Sequence, residues 1–191
     1  MASNRQQSEI RFRTAGFVTA LLSILWLGAA PVRADDARGV QRMVVLYCGE
    51  SDTKDVSMWS PGVDVGKPRT FSDSCYLIRH EKGLLLWEAG VSDAIAALPD
   101  GLVIGNGMLT LHVRKTLRSQ LQELGIAPSD ITHLGFSHFH GDHVGNANLF
   151  TAATLYIQQA EYDAAFGPDA AKSGFNPAFY NRLRDSTMVK L

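Results

Sequence analysis

The sequence predicts an α/β fold, and three observations carry that prediction. Leu109 to Leu124 places Val113, Leu117, Leu121 and Leu124 on one helical stripe, and a short turn delivers it into the apolar strand Ile131 to Phe136. Cys75–Ile78 and Leu84–Trp87 flank a turn with Gly83, which is a hairpin signal. A second strand-then-helix pair, Ala153–Ile157 and Gln158–Phe166, follows further along.

Taken in order, the chain opens with a segment to be set apart from the fold. Arg5, Arg11 and Arg13 precede an apolar run of 11 residues from Phe17 to Leu27. Gly28–Ala34 is rich in small residues, with Val32 and Ala34 placed for cleavage before Asp35. Residues 1–34 therefore read as a secretory signal peptide, and 35–191 as one domain, exported to the periplasm or the medium. The apolar run is short for a membrane span. Without the leader the chain keeps 14 basic and 18 acidic residues, a formal net charge of −4. That balance offers no nucleic-acid footprint, and no later apolar stretch suggests a membrane partner. With 46% hydrophobic residues the chain belongs with globular proteins.

Met43–Cys48 reads as a strand closed by Gly49. Residues 50–70 carry two prolines and two glycines and read as a long loop; Met58, Trp59 and Val63 within it suit either a binding-site wall or a seal on the core edge. The hairpin follows, ended by Glu88-Ala89-Gly90. Ser92 caps a helical fragment that Pro99 stops, and residues 100–108 are glycine-punctuated loop. The helix Leu109–Leu124 ends on Gly125. Beyond Phe166 the chain is weakly periodic, with Pro168, Gly174 and Pro177, and it closes on the apolar Met188-Val189-Lys190-Leu191. Export permits a disulfide between Cys48 and Cys75, while two buried thiols fit their apolar, strand-like surroundings equally well.

The chemistry concentrates in His138-Phe139-His140-Gly141-Asp142-His143, at the C-terminal end of a strand, where open sheets hold their sites. On a strand His138 and His140 would point the same way, and Gly141 would permit a sharp reversal that brings Asp142 and His143 to a second position. Imidazole and carboxylate in this density suit zinc, with iron or manganese able to use the same groups. Two metals bridged by water would supply a hydroxide at neutral pH. His80, His112 and His133 sit at a turn, a helix start and a strand start, where surface or structural roles are expected.

This cluster resembles the HxHxDH signature of the metallo-β-lactamase superfamily. The likeness extends to Phe71–His80, Gly83–Gly90 and Gln159–Tyr162, where it is similar to the N-acyl-homoserine-lactone lactonase branch. The resemblance implies an αβ/βα sandwich of two similar halves. It implies that His138 and His140 bind a first zinc and Asp142 and His143 a second, with Asp142 also holding the nucleophilic water. The implied activity is hydrolysis of lactones or similar carbonyl esters, with β-lactams and thioesters as other substrates of the family.

Two departures qualify that expectation. Relatives have Asp-Thr-Gly where this chain has Glu88-Ala89-Gly90. No histidine follows His143, and Asp163, Asp169 and Asp185 are candidates for the missing ligands by residue type only. The resemblance thus covers the first half of the sandwich alone. From it follow a second expectation, a catalytically inactive fragment, and a third, self-association or a complementing C-terminal half to cover the exposed inter-sheet face.

Overall fold

The computed structural model describes residues 38–191; the leader read at 1–34 lies outside them. An eight-stranded mixed sheet organises these residues. Its strands are β1 (Val40–Thr53), β2 (Arg69–His80), β3 (Gly83–Trp87), β4 (Leu102–Ile104), β5 (Leu109–His112), β6 (His133–Gly135), β7 (Thr154–Ile157) and β8 (Met188–Lys190). Their order is β4-β5-β1-β2-β3-β6-β7-β8. The pairs from β4 to β3 are antiparallel, and β3, β6, β7 and β8 run parallel. Helices α1 (Leu117–Glu123) and α3 (Gln159–Phe166) pack against one face, and the short α2 (Gly141–Val144) follows β6.

The main core lies between that face and the helices. Leu46, Leu77, Leu86, Leu134 and Leu155 come from five neighbouring strands and meet Leu117 and Leu121 of α1 and Phe166 of α3. Leu117 and Leu121 are fully buried, and each contributes about 1.5–3 kcal/mol by leaving water. Tyr180 and Leu183, from the 3₁₀ turns before β8, close the far side. Among the described residues no helix is long and apolar enough to cross a membrane.

Several expected boundaries move, each for a long-range reason. The predicted helix at 109–124 begins only at Leu117. Leu109–His112 is instead strand β5, paired with Glu50–Thr53 of β1 on one side and Leu102–Ile104 on the other. Thr116 then caps α1, its hydroxyl accepting the Ser119 N–H at 3.1 Å, while the Asp93 carboxylate accepts those of Leu117 and Arg118. The expected loop at 50–70 shrinks because Glu50–Thr53 extends β1 and Arg69–Ser74 extends β2.

Within β1 the register slips between Tyr47 and Glu50, where Gly49 has φ +130°. A Cβ at Gly49 would lie 2.6 Å from the Val91 side chain, so this close approach needs glycine. Gln120 of α1 satisfies the bulge by accepting the Tyr47 N–H and donating to the Tyr47 carbonyl. Beside it Cys48 and Cys75 form a disulfide, with Cα atoms 5.7 Å apart. That resolves the two readings of this pair in favour of the bond.

Candidate functional site

Glu88 and the segment after β6 frame the site, because β3 and β6 are parallel neighbours and their C-terminal ends open on the same edge. The chain leaves β3 through Glu88, a non-glycine residue at φ +67°. This left-handed conformation costs roughly 1–2 kcal/mol, and the side chain it aims makes two bonds in return. One carboxylate oxygen of Glu88 accepts the Ser137 N–H at 2.9 Å, and the other lies 3.1 Å from His143 Nδ1. The departure from Asp-Thr-Gly thus still places a carboxylate against the histidine cluster.

Asn146 locks the same junction from below. Its Nδ2 donates to the carbonyls of Ala89 and Val91, and its Oδ1 accepts the Asp93 N–H. Glu161 of α3 accepts the Phe139 N–H at 2.8 Å. The sequence reads Asn146 as loop and Glu161 as part of a helical segment within the stretch of family likeness, and it assigns neither residue its partner. No local spacing marks a residue whose partners lie more than 20 positions away.

The histidines come together, but not on a strand. β6 ends at Gly135, so His138 and His140 stand in irregular chain, and His140 is the residue preceding α2. The His138 and His140 rings meet edge to face at 4.7 Å, and His138 and His143 lie 4.0 Å apart. Gly141 is not a left-handed reversal; it opens α2, where a Cβ would come within 3.1 Å of the Phe179 ring.

At least one nitrogen of each ring faces a protein partner. His140 Nε2 sits 3.2 Å from the Ser173 carbonyl, which can only accept, so a hydrogen bond there puts the proton on Nε2 and leaves the ring's lone pair on Nδ1. His143 directs Nδ1 at Glu88, and its Nε2 is 3.6 Å from an Asp142 oxygen. His138 Nδ1 is 3.0 Å from the Ser137 hydroxyl. Among the described residues no group of three or more His, Cys, Asp or Glu is placed to hold a metal ion.

The expectation of zinc, or of iron or manganese, at His138, His140, Asp142 and His143 is therefore corrected. So is the expectation of ester or lactone opening by a metal-bridging hydroxide. Rings can be neighbours without their lone pairs converging, and a tetrahedral shell needs convergence. Asp163, Asp169 and Asp185 do not complete the set. Asp163 accepts from Gln159 and Asp169 pairs with Lys172, both on the surface. The remaining histidines are engaged in structure: His112 pairs with Asp52, His80 accepts the Lys82 N–H, and His133 stacks on Tyr156.

The electrostatics follow from burial among carboxylates. Burial opposes charging of His143, but the Glu88 bond and the charges of Asp142, Glu88 and Asp73 outweigh it and raise its pKa. His138 is pushed the other way by burial and by the neighbouring His143 and His140. Asp73 rises to about 6, first through burial and then through Asp142, and its Oδ2 is buried without a hydrogen-bond partner.

A cleft of about 820 Å³ runs from His140, Asp142 and Asp73 along an apolar wall. Trp59, Phe71, Ile95 and Leu111 line it, with Trp59 and Phe71 edge to face at 4.9 Å. Trp59 is half exposed, so the 50–70 segment forms cleft wall there rather than core seal.

Comparison with known proteins bears on both fold and site. The family model described as the metallo-beta-lactamase superfamily matches residues 69–170, more than half of the chain. The N-acyl homoserine lactonase AttM of Azorhizobium caulinodans is 34% identical over 97 residues, covering 49% of this chain and 37% of the relative. An N-acyl homoserine lactonase of Bacillus thuringiensis is 30% identical over 96 residues, covering 48% and 38%. This chain thus spans well under half the length of the curated relatives it matches. A solved N-acyl homoserine lactone hydrolase with N-hexanoyl-L-homoserine bound at its catalytic metal center superposes with a TM-score of 0.66. It is 22% identical, and the match covers 80% of this chain and 60% of that one, which shows a shared fold.

Proposed function

The chain belongs to the metallo-β-lactamase superfamily, and from that premise we propose that it is a catalytically inactive part of a hydrolase of this family. The described residues form an incomplete active site of the metal-dependent hydrolase type. One observation carries the reading: among the described residues no group of three or more His, Cys, Asp or Glu is placed to hold a metal ion. In this reading the 154 described residues correspond to the N-terminal half of the family's sandwich.

What such a part retains is its side of the cleft. The lactonase relatives make a small acyl lactone or ester the ligand of choice, and the wall from Phe71 to Leu111 offers an apolar bed for an acyl chain. His140 and Asp142 provide the polar end, with Asp142 proposed as the carboxylate that faces the ligand's ring. Export is proposed with it, supported by the Cys48–Cys75 disulfide, a bond that persists in oxidising compartments.

The test incubates the purified full chain with N-decanoyl homoserine lactone, a chromogenic β-lactam and a thioester, after dialysis against either zinc or EDTA. The expected result is no turnover above the uncatalysed rate in either buffer. Lactone binding should perturb tryptophan fluorescence in the wild type and fail to do so in Trp59→Ala. Turnover that needs zinc and disappears with EDTA would overturn the proposal.

A further inference from the structure

We propose that Arg42 and Arg79 form a binding site for a small aliphatic carboxylate, with the carboxylate held across the two guanidinium groups and the alkyl group seated in the apolar depression beneath them. The site lies on the helix side of the sheet and shares no residue with the cleft.

The sheet register sets two like charges face to face. Arg42 of β1 and Arg79 of β2 are direct cross-strand partners on antiparallel strands. The period of two puts Arg42 on the same face as Val44 and Leu46, and Arg79 on the same face as Leu77, which is the face that α1 covers. Leu84 of β3 pairs with Arg79 and continues the row. Like charges directly opposite on a sheet repel and destabilise it. Elsewhere the chain gives such cations a partner: Lys67 and Arg69 share Asp64, and Arg114 takes Glu50. Among the described residues neither Arg42 nor Arg79 pairs with a carboxylate, and Glu123 of the covering helix is held by Lys115.

Beneath the pair lies a depression of about 50 Å³. Val44, Leu77 and Leu84 of the sheet make its floor, and Leu124 and Ile126 at the end of α1 make its wall. Leu77 and Leu84 are buried, while both arginines are exposed. The helix end gives the guanidinium groups little to hold, because the Leu121 and Gln122 carbonyls already accept the Ile126 and Gly125 N–H groups.

These features define the ligand by its chemistry. A guanidinium fork matches a carboxylate, and a shared anion between the two arginines removes their repulsion. The depression holds roughly three or four water-sized groups, the size of a short or branched alkyl chain. Apart from the arginines its lining is aliphatic, so a bare phosphate would leave it unfilled, and a neutral apolar ligand would leave the two charges opposed.

The experiment is methyl NMR on the full chain, titrated into the millimolar range with isovalerate, N-acetyl-leucine, isoamyl alcohol and inorganic phosphate. The expected result is saturable shifts of the Leu84, Leu124 and Ile126 methyl groups with isovalerate, and binding about tenfold weaker for the alcohol and for phosphate. Arg42→Gln and Arg79→Gln change exposed side chains, so each should keep the fold by circular dichroism. Each should weaken isovalerate binding about tenfold and, by removing the repulsion, leave the melting temperature of the free protein unchanged or higher. N-acetyl-leucine separates two sources of the carboxylate: tighter binding than isovalerate assigns the site to a peptide C-terminus, and weaker binding assigns it to a free acid. No saturable shift with either carboxylate would overturn the proposal. So would equal binding of the alcohol or of phosphate. Binding that survives both arginine variants, or a lowered melting temperature in both, would equally reject it.

Discussion

Glu88 Oε2 and His143 Nδ1 lie 3.1 Å apart across 55 residues of sequence, joining the end of β3 to the helix that follows β6. The same carboxylate holds the Ser137 N–H. Through these two bonds Glu88 sets the shape of the histidine cluster.

Replacing Glu88 with alanine should therefore destabilise the fold by about 1–2 kcal/mol, since it removes the acceptor of a part-buried N–H and the partner of a half-buried imidazole. Glu88→Gln keeps an acceptor for Ser137 and should lose less. Urea unfolding midpoints of the two variants, compared with wild type, check the order. Equal midpoints for wild type and Glu88→Ala would remove Glu88 from this role.

Asp73 gives a pH dependence of definite sign. Its folded pKa of about 6 stands above the ordinary carboxylate value of 3.8. The folded state thus holds the proton more tightly than the unfolded chain. The resulting stability is fully present below pH 3.8 and is lost as pH rises through 6. Asp73→Asn should raise stability at pH 7 by on the order of 1 kcal/mol, a figure reduced because the group is only partly buried. It should also flatten thermal stability between these two pH values, which a series of melting curves measures.

The Cys48–Cys75 bond closes a loop with a sequence separation of 27. Restricting the unfolded chain over that length is worth about 3 kcal/mol. Reduction with dithiothreitol, or the double change Cys48→Ala and Cys75→Ala, should lower the unfolding free energy by that amount. An unchanged urea midpoint under reducing conditions would count against it.

Gly145 marks the tightest backbone approach beside the site. A Cβ there would sit 2.3 Å from the Ser92 nitrogen and 2.6 Å from the Gly90 carbonyl oxygen. Backbone atoms cannot rotate away, so Gly145→Ala should cost at least 2 kcal/mol, roughly the upper part of the overpacking range. Calorimetric melting of this variant against wild type measures the cost, and an unchanged melting temperature would remove the clash.

Part of this structure was legible in the residues alone. The hairpin between β2 and β3 does form, its turn at Glu81-Lys82 closed by the His80–Gly83 pair, and Leu117 and Leu121 do carry the buried stripe of α1. The histidine cluster does follow the C-terminal end of a parallel strand. These readings succeed because periodicity and turn chemistry are local, acting over one to four residues. Leu109–His112 shows the limit: its apolar spacing suits a helix, but pairing with β1 and β4 made it a strand.

The sequence by itself determined the α/β class, the superfamily likeness and the position of His138–His143 along the chain. Only the tertiary structure decided what those histidines can do. Whether an imidazole nitrogen offers a lone pair depends on its partner. Those partners, Ser173 for His140 and Glu88 for His143, stand 33 and 55 positions away. A donor set is a list of residue types, whereas a metal site is a convergence of lone pairs, and long-range contacts alone create or remove it.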